Sequence, residues 1–300
     1  MNNYKPRIFI SCIYKLEQES PQKKIKDEII KRVAEAGFEP QIFLESGLLL
    51  MQPWNFNTVH EILQRCQGAI ILGLSKWTFG MEDNQSLKMP TEYNHYEGSL
   101  ALARKLPTLI LLEEGLHERG IFYSGGGNIY AHIPTNAAPD WYRTGIFKSI
   151  FDVWQYQVKS RYEVFLGYSG AAKSTAQAII SYLTGRLNLR VKEYGTGFRS
   201  GGTIMEEIEE ACNTCICGIF LFTADDPLEG EANIASPRDN VIFEAGYFMK
   251  AKGKERTLII REQGAKMPAD IGGNIYLHLK DRKDISTITS DIQYFIEMRL

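Results

Sequence analysis

Residues 236–261, SPRDNVIFEAGYFMKAKGKERTLIIR, decide the fold. Over residues 241–252 the apolar positions recur at helical spacing. After Gly253 comes Thr257-Leu258-Ile259-Ile260-Arg261, a short apolar run without polar alternation, as expected of a strand covered on both faces of a parallel sheet. The same unit is written earlier in the chain. Pro90-Thr91-Glu92-Tyr93-Asn94-His95-Tyr96-Glu97-Gly98 aligns without a gap on Pro237-Arg238-Asp239-Asn240-Val241-Ile242-Phe243-Glu244-Ala245, setting Glu97 opposite Glu244 and Glu92 opposite Asp239.

Two more matches follow in the same order. Gly126-Gly127-Asn128-Ile129-Tyr130-Ala131-His132 recurs as Gly272-Gly273-Asn274-Ile275-Tyr276-Leu277-His278, and Glu61, Ile62 and Cys66 recur as Glu207, Ile208 and Cys212. Separated matches at almost one offset read as a diverged tandem duplication. In the first half the spacing predicts strands at 8–12, 38–43, 69–74 and 108–112, and helices at 21–36, 58–66 and 93–105. In the second it predicts strands at 164–166, 189–194, 217–223 and 257–261, and helices at 172–183, 203–212 and 241–252. Strand and helix alternate throughout. The fold class is therefore α/β, two tandem small doubly wound parallel-sheet domains of flavodoxin-like kind, residues 1–160 and 161–300. Residues 141–159 close the first half as a helix with Ile146, Ile150, Val153 and Trp154 at helical spacing, either packing on its own sheet or mediating a contact between domains or subunits.

The composition narrows the function classes. With 300 residues, 44% hydrophobic and 23% charged, the chain can bury two cores. A net charge of −2 leaves no footprint for nucleic acid. No run approaches the roughly 18 apolar residues of a membrane span, and there is no signal-peptide pattern. Five cysteines inside apolar segments fit a reducing cytoplasm. Cys212, Cys215 and Cys217 read as core residues where a helix runs into a buried strand, and no metal site is expected.

In a doubly wound domain the ligand crevice lies at the carboxyl ends of the strands. In the second half those ends are small or polar. Gly167-Tyr168-Ser169 leads a turn whose backbone N–H groups either approach a phosphate or simply start a helix. The glycine-rich loop after the second strand carries Tyr194, Phe198 and Arg199; it is either a flexible connection or a lid that stacks on a planar base and screens a diphosphate. Asp225 and Asp226 follow the central strand. Arg238, Asp239 and Asn240 lead into the helix that bears Phe243 and Glu244, with Asp239 or Asn240 as its cap. Glu244, a carboxylate in an apolar first stretch of helix, either pairs with a buried cation such as Arg238 or faces a ligand's sugar.

The string SPRDNVIFEAGYFMKAKGKERTLII, with TADDPL before it and GFRSGGTIMEEIEEA upstream, resembles the TIR-like domain of bacterial CBASS and Pycsar antiphage effectors, over about residues 162–278. The resemblance implies a TIR-like fold and NAD+ hydrolysis at the nicotinamide–ribose bond, triggered by a nucleotide second messenger. It implies Glu244 as the catalytic carboxylate, Asp225, Asp226, Arg238, Asp239 and Asn240 as polar strand-end residues, and the Phe198 loop as the segment closing on substrate. NAD+ is then substrate and no separate cofactor is implied; a cyclic-nucleotide or other nucleotide activator and a homo-oligomer are the expected partners. The first half, TIR-like but diverged, keeps Glu97 and Glu92 and has lost the Arg-Asp-Asn run, leaving it as a regulatory or oligomerisation domain, a second active site or a structural copy. Two other functions remain open: a nucleoside deoxyribosyltransferase-like N-glycosidase, and a non-enzymatic nucleotide-binding scaffold.

Overall fold

The structure, a computed structural model, describes residues 4–43, 54–81, 86–193, 204–230, 234–269, 271 and 276–300. The chain divides into two compact units, Lys5–Ser160 and Arg161–Leu300, with Tyr4 belonging to the second.

In the first unit the elements run β1 (Arg7–Ser11), α1 (Pro21–Glu35), β2 (Glu39–Gln41), α2 (Phe56–Gln64), β3 (Gly68–Gly73), the hairpin β4 (Trp77–Gly80) and β5 (Ser86–Met89), α3 (Glu92–Ala103), β6 (Thr108–Glu113), β7 (Ile129–Ile133) and α4 (Gly145–Lys159). The local signals explain the boundaries. Ser20 caps α1 by accepting from the Lys23 N–H at 3.2 Å, Pro21 opens the helix, and Gly37 at φ +87° ends it. The sheet is parallel in the order β2-β1-β3-β6-β7. Its central strands β3 and β6 are buried along their whole length. Ile8, Ile10, Ile70, Leu72, Leu109 and Leu111 face α1 and α4, whereas Phe9, Ala69, Ile71, Ile110 and Leu112 face α2 and α3.

The second unit runs β8 (Tyr162–Gly167), α5 (Lys173–Ser181), β9 (Val191–Glu193), α6 (Ile204–Thr214), β10 (Cys215–Phe222), the short pair β11 (Asp226–Pro227) and β12 (Ala235–Ser236), α7 (Asp239–Lys252), β13 (Thr257–Glu262), β14 (Tyr276–Leu279) and α8 (Thr289–Arg299). Its parallel order, β9-β8-β10-β13-β14, is the same 2-1-3-4-5 winding. Val164, Leu166, Ile219, Leu221 and Ile260 pack under α5 and α8, and Phe165, Phe220, Phe222 and Ile259 under α6 and α7. Both units are doubly wound.

The ladders superpose residue by residue. Phe9 pairs with Ala69 and Ala69 with Thr108; Phe165 pairs with Gly218 and Gly218 with Thr257. Gly167 therefore occupies the position of Ser11, and Glu262 that of Glu113. The two glutamates do the same work: Glu113 Oε2 accepts from the Ser75 N–H, and Glu262 Oε2 from the Ala224 N–H, each at 2.8 Å. Each carboxylate satisfies a backbone donor just past the central strand, where no ladder partner is left. The fifth strands, β7 and β14, begin within the repeated GGNIY segments, which the sequence reading matched without assigning them a strand; the hairpin β4–β5 and helix α8 were likewise not expected.

One expectation about α4 is corrected. Its buried stripe is Phe147, Phe151, Trp154 and Val158, and Ile146 and Val153 are 77% and 53% exposed. Of the four apolar positions first singled out, Trp154 alone is fully buried.

Candidate active site

The site is built on α7 and the ends of β8 and β10. On α7 the buried positions Val241, Glu244, Ala245 and Phe248 form one stripe against the sheet, so Glu244 holds a place at which an aliphatic residue would ordinarily pack. Gly167, the last residue of β8, makes room for it: a Cβ there would lie 3.0 Å from Glu244 Oε2 and 2.6 Å from the Phe220 ring. Glu244 is 2% exposed, and among the described residues its Oε2 has no hydrogen-bond partner. Burial pushes its carboxyl up to about 7.

In front of Glu244 is a cleft of about 620 Å³. Tyr168, Ser169 and Gly170 line one side; Asp226, Arg238, Asp239, Asn240 and Val241, from the start of α7 and the strand pair before it, line the other. Arg238 pairs with Asp226 at 3.0 Å, and among the described residues no cation pairs with Glu244. Neither Asp239 nor Asn240 caps the helix as expected. Asp239 is its first residue, and Arg238 sits at the cap position (φ −56°, ψ 133°) without a side-chain capping hydrogen bond. The amide end of α7 and the Asp239 carboxylate thus both border the cleft. Tyr168 donates its hydroxyl to Glu193 at 2.7 Å, which fixes the turn after β8 to the end of β9.

Residues 163–281 match the family described as CAP12/Pycsar effector protein, TIR domain. They are a TIR domain of that family. CD-NTase-associated protein 12 of Lachnospiraceae bacterium (strain RUG226) is 31% identical over 100 residues, 32% of either chain. Pycsar effector protein PaPycTIR of Pseudomonas aeruginosa is 34% identical over 87 residues, 28% of either chain, and BcPycTIR of Burkholderia cepacia is 27% identical over 118 residues, 38% of this chain and 39% of that one. The matched stretches span roughly a third of these relatives' own length.

Within the TIR domain three expected site residues do not line the cleft, and the first, Gly167, instead leaves room for Glu244. Asp225 is turned away from the cleft: Thr223 donates its hydroxyl to it at 2.9 Å, and Arg282 pairs with it at 3.4 Å. Phe243 lies one step round α7 from Glu244, about 100° away; it is 48% exposed beside Tyr247 and does not line the cleft. Tyr194, Phe198 and Arg199 lie outside the described residues. Arg282 was missed. Its guanidinium grips Glu262 at 2.6 Å and also donates to the Ala171 and Ala224 carbonyls, so one side chain ties the ends of β10 and β13 to the turn after β8. Its signal is faint in sequence, a lone arginine in the charged turn Asp281-Arg282-Lys283-Asp284.

Cys212, Cys215 and Cys217 are buried free thiols, and burial pushes them up to about 12, 11 and 12. Among the described residues no three His, Cys, Asp or Glu side chains are placed to hold a metal ion, and no helix is long and apolar enough to cross a membrane.

In the first unit Glu97 is the sixth residue of α3, as Glu244 is of α7. It too is buried, with its carboxyl raised to about 7 by burial. Its surroundings differ. The Trp54 indole donates to Glu97 Oε1 at 2.9 Å, and Ser11, standing where the TIR domain has Gly167, also bonds the carboxyl. Asn94 donates to the Ser11 hydroxyl at 2.7 Å. Glu92 is exposed and accepts from the Trp77 indole at 3.2 Å.

Proposed function

We propose that the TIR domain hydrolyses NAD+ at the nicotinamide–ribose bond, with Glu244 as the catalytic carboxylate. The observation that supports this reading is the buried Glu244 carboxyl with an unpartnered oxygen at the wall of an open cleft. A buried polar atom without a partner costs about 1–3 kcal/mol, and a ligand that supplies the missing hydrogen bond offsets that cost.

The chemistry suits one carboxylate. As the C1′–N bond breaks, its electron pair neutralises the pyridinium, and nicotinamide leaves uncharged. The ribose becomes oxocarbenium-like, water adds at C1′ and loses a proton, and ADP-ribose is the product. Glu244, ionised, accepts from the ribose hydroxyls and stabilises the developing positive charge in a site with little water. Without substrate, burial leaves its carboxyl partly protonated near neutrality. The cationic nicotinamide riboside lowers that pKa, so substrate binding and ionisation favour each other. In this reading the amide end of α7 and Arg238 meet the diphosphate, and Tyr194, Phe198 and Arg199 belong to the proposed closing loop. By the same reading the protein is a bacterial antiphage effector, acting as a homo-oligomer and switched on by a cyclic-nucleotide or related signal.

The test is nicotinamide release from NAD+ by the purified full chain, alone and with a cyclic-nucleotide library, for wild type and Glu244→Gln. Wild-type turnover with none from the variant is expected; equal release by the two would remove Glu244 from the mechanism.

A further inference from the structure

The first unit has its own cleft, about 380 Å³, against the buried carboxyl of Glu97. It sits at the same strand ends as the cleft of the TIR domain, but where that cleft carries Asp226 and Asp239 beside Arg238, this one carries two lysines. Counting from the matched pair Ser75 and Ala224, Lys76 stands at the position of Asp225, and Lys15 is a second cation in the lining. Both are exposed, their ammonium groups over the rings of Trp77 and Tyr14. Among the described residues neither lysine pairs with a carboxylate. Aromatic rings line it as well: Trp54 packs on Tyr93 with centroids 4.8 Å apart.

We propose that this cleft is a non-hydrolytic binding site for a mononucleotide, its base against Trp54 and Tyr93 and its phosphate on Lys15 and Lys76. Two cations in the lining, with no carboxylate partner among the described residues, select an anion. Flat aromatic walls select a planar ring, and ring-on-ring stacking is sequence-tolerant. The volume lies at the small end for ligand sites and below the 620 Å³ of the TIR domain, as suits one nucleotide unit in place of two. Glu97 is held by Trp54 and Ser11, so the carboxyl that keeps an unpartnered oxygen in the TIR domain is hydrogen-bonded here, and the ligand leaves unchanged.

The experiment titrates the full chain with AMP, GMP, CMP and UMP, with the matching nucleosides and with inorganic phosphate, by calorimetry and by tryptophan fluorescence. At least one mononucleotide is expected to bind at one site per chain, with the nucleoside and phosphate alone at least tenfold weaker. Lys15→Glu combined with Lys76→Glu lowers the mononucleotide affinity at least tenfold, and so does the milder Lys15→Ala with Lys76→Ala. Trp54→Phe retains binding and Trp54→Ala loses it. Glu244→Gln leaves this affinity where it was, so binding is read independently of NAD+ turnover. No saturable binding of any of the four, undiminished affinity in both lysine double variants, or loss in Glu244→Gln would each overturn the assignment.

Discussion

A methyl group on Gly167 would come within 3.0 Å of Glu244 Oε2. The glycine at the end of β8 and the carboxylate on α7 are therefore one device: the missing side chain is the space that the acid occupies. Gly167→Ala should displace Glu244 and press on Phe220, costing about 1–3 kcal/mol, the usual range for overpacking. NAD+ turnover should fall with it. A crystal structure of that variant with Glu244 unmoved, or full activity at wild-type stability, would separate the two residues.

If Glu244 works as a carboxylate, its titration governs kcat/KM. With the pKa at about 7, kcat/KM for NAD+ should rise as pH passes through that value and level off above it. A profile flat between about pH 5 and 9 would show that ionisation of this group does not control turnover.

The same raised pKa values affect stability. Glu97 and Glu244 both hold their protons to about 7 when folded, against an ordinary 4.5. Between those values the folded chain keeps protons that the unfolded chain gives up. The contribution is thus complete below the unfolded pKa and is lost as pH rises through about 7, roughly 3 kcal/mol for each group. Urea midpoints should fall between pH 5 and pH 8, with each unit losing the dependence when its own glutamate becomes glutamine. Identical pH dependence in wild type and both Gln variants would contradict this.

Arg282→Ala leaves the carboxylates of Glu262 and Asp225 without their cation. Removing one partner of a largely buried set costs about 3–5 kcal/mol. Because Asp225 and Glu262 belong to strand ends behind the cleft, nicotinamide release should decline along with the melting temperature. Lysine should rescue poorly, since it lacks the fork that reaches both carboxylates at once. Full rescue by Arg282→Lys would reduce the role to a point charge.

Much of this was legible in the chain. Apolar runs without alternation gave the two parallel sheets, and the aligned Glu97 and Glu244 fell at the sixth position of equivalent helices. The errors have physical causes. α4 has two apolar faces at helical spacing, and only tertiary packing decides between Ile146 with Val153 and Phe147 with Phe151. Asp225 sits beside the expected site, but its partner Arg282 is 57 residues away along the chain, a distance over which no local pattern reports. Phe243 adjoins Glu244 in sequence, yet a single helical step carries it out of the cleft.

The carboxylates of Glu113 and Glu262 each grip the first stretch of chain beyond a central strand. A connection moored at its root can change at its tip without disturbing what lies beneath. One copy carries the hairpin β4–β5 there and the other the short pair β11–β12, on strand ends that kept their registry. The mooring glutamate lets the architecture exchange its rim while keeping its foundation, and grafting one loop onto the other unit beyond Ser75 or Ala224 should yield a chain that still folds.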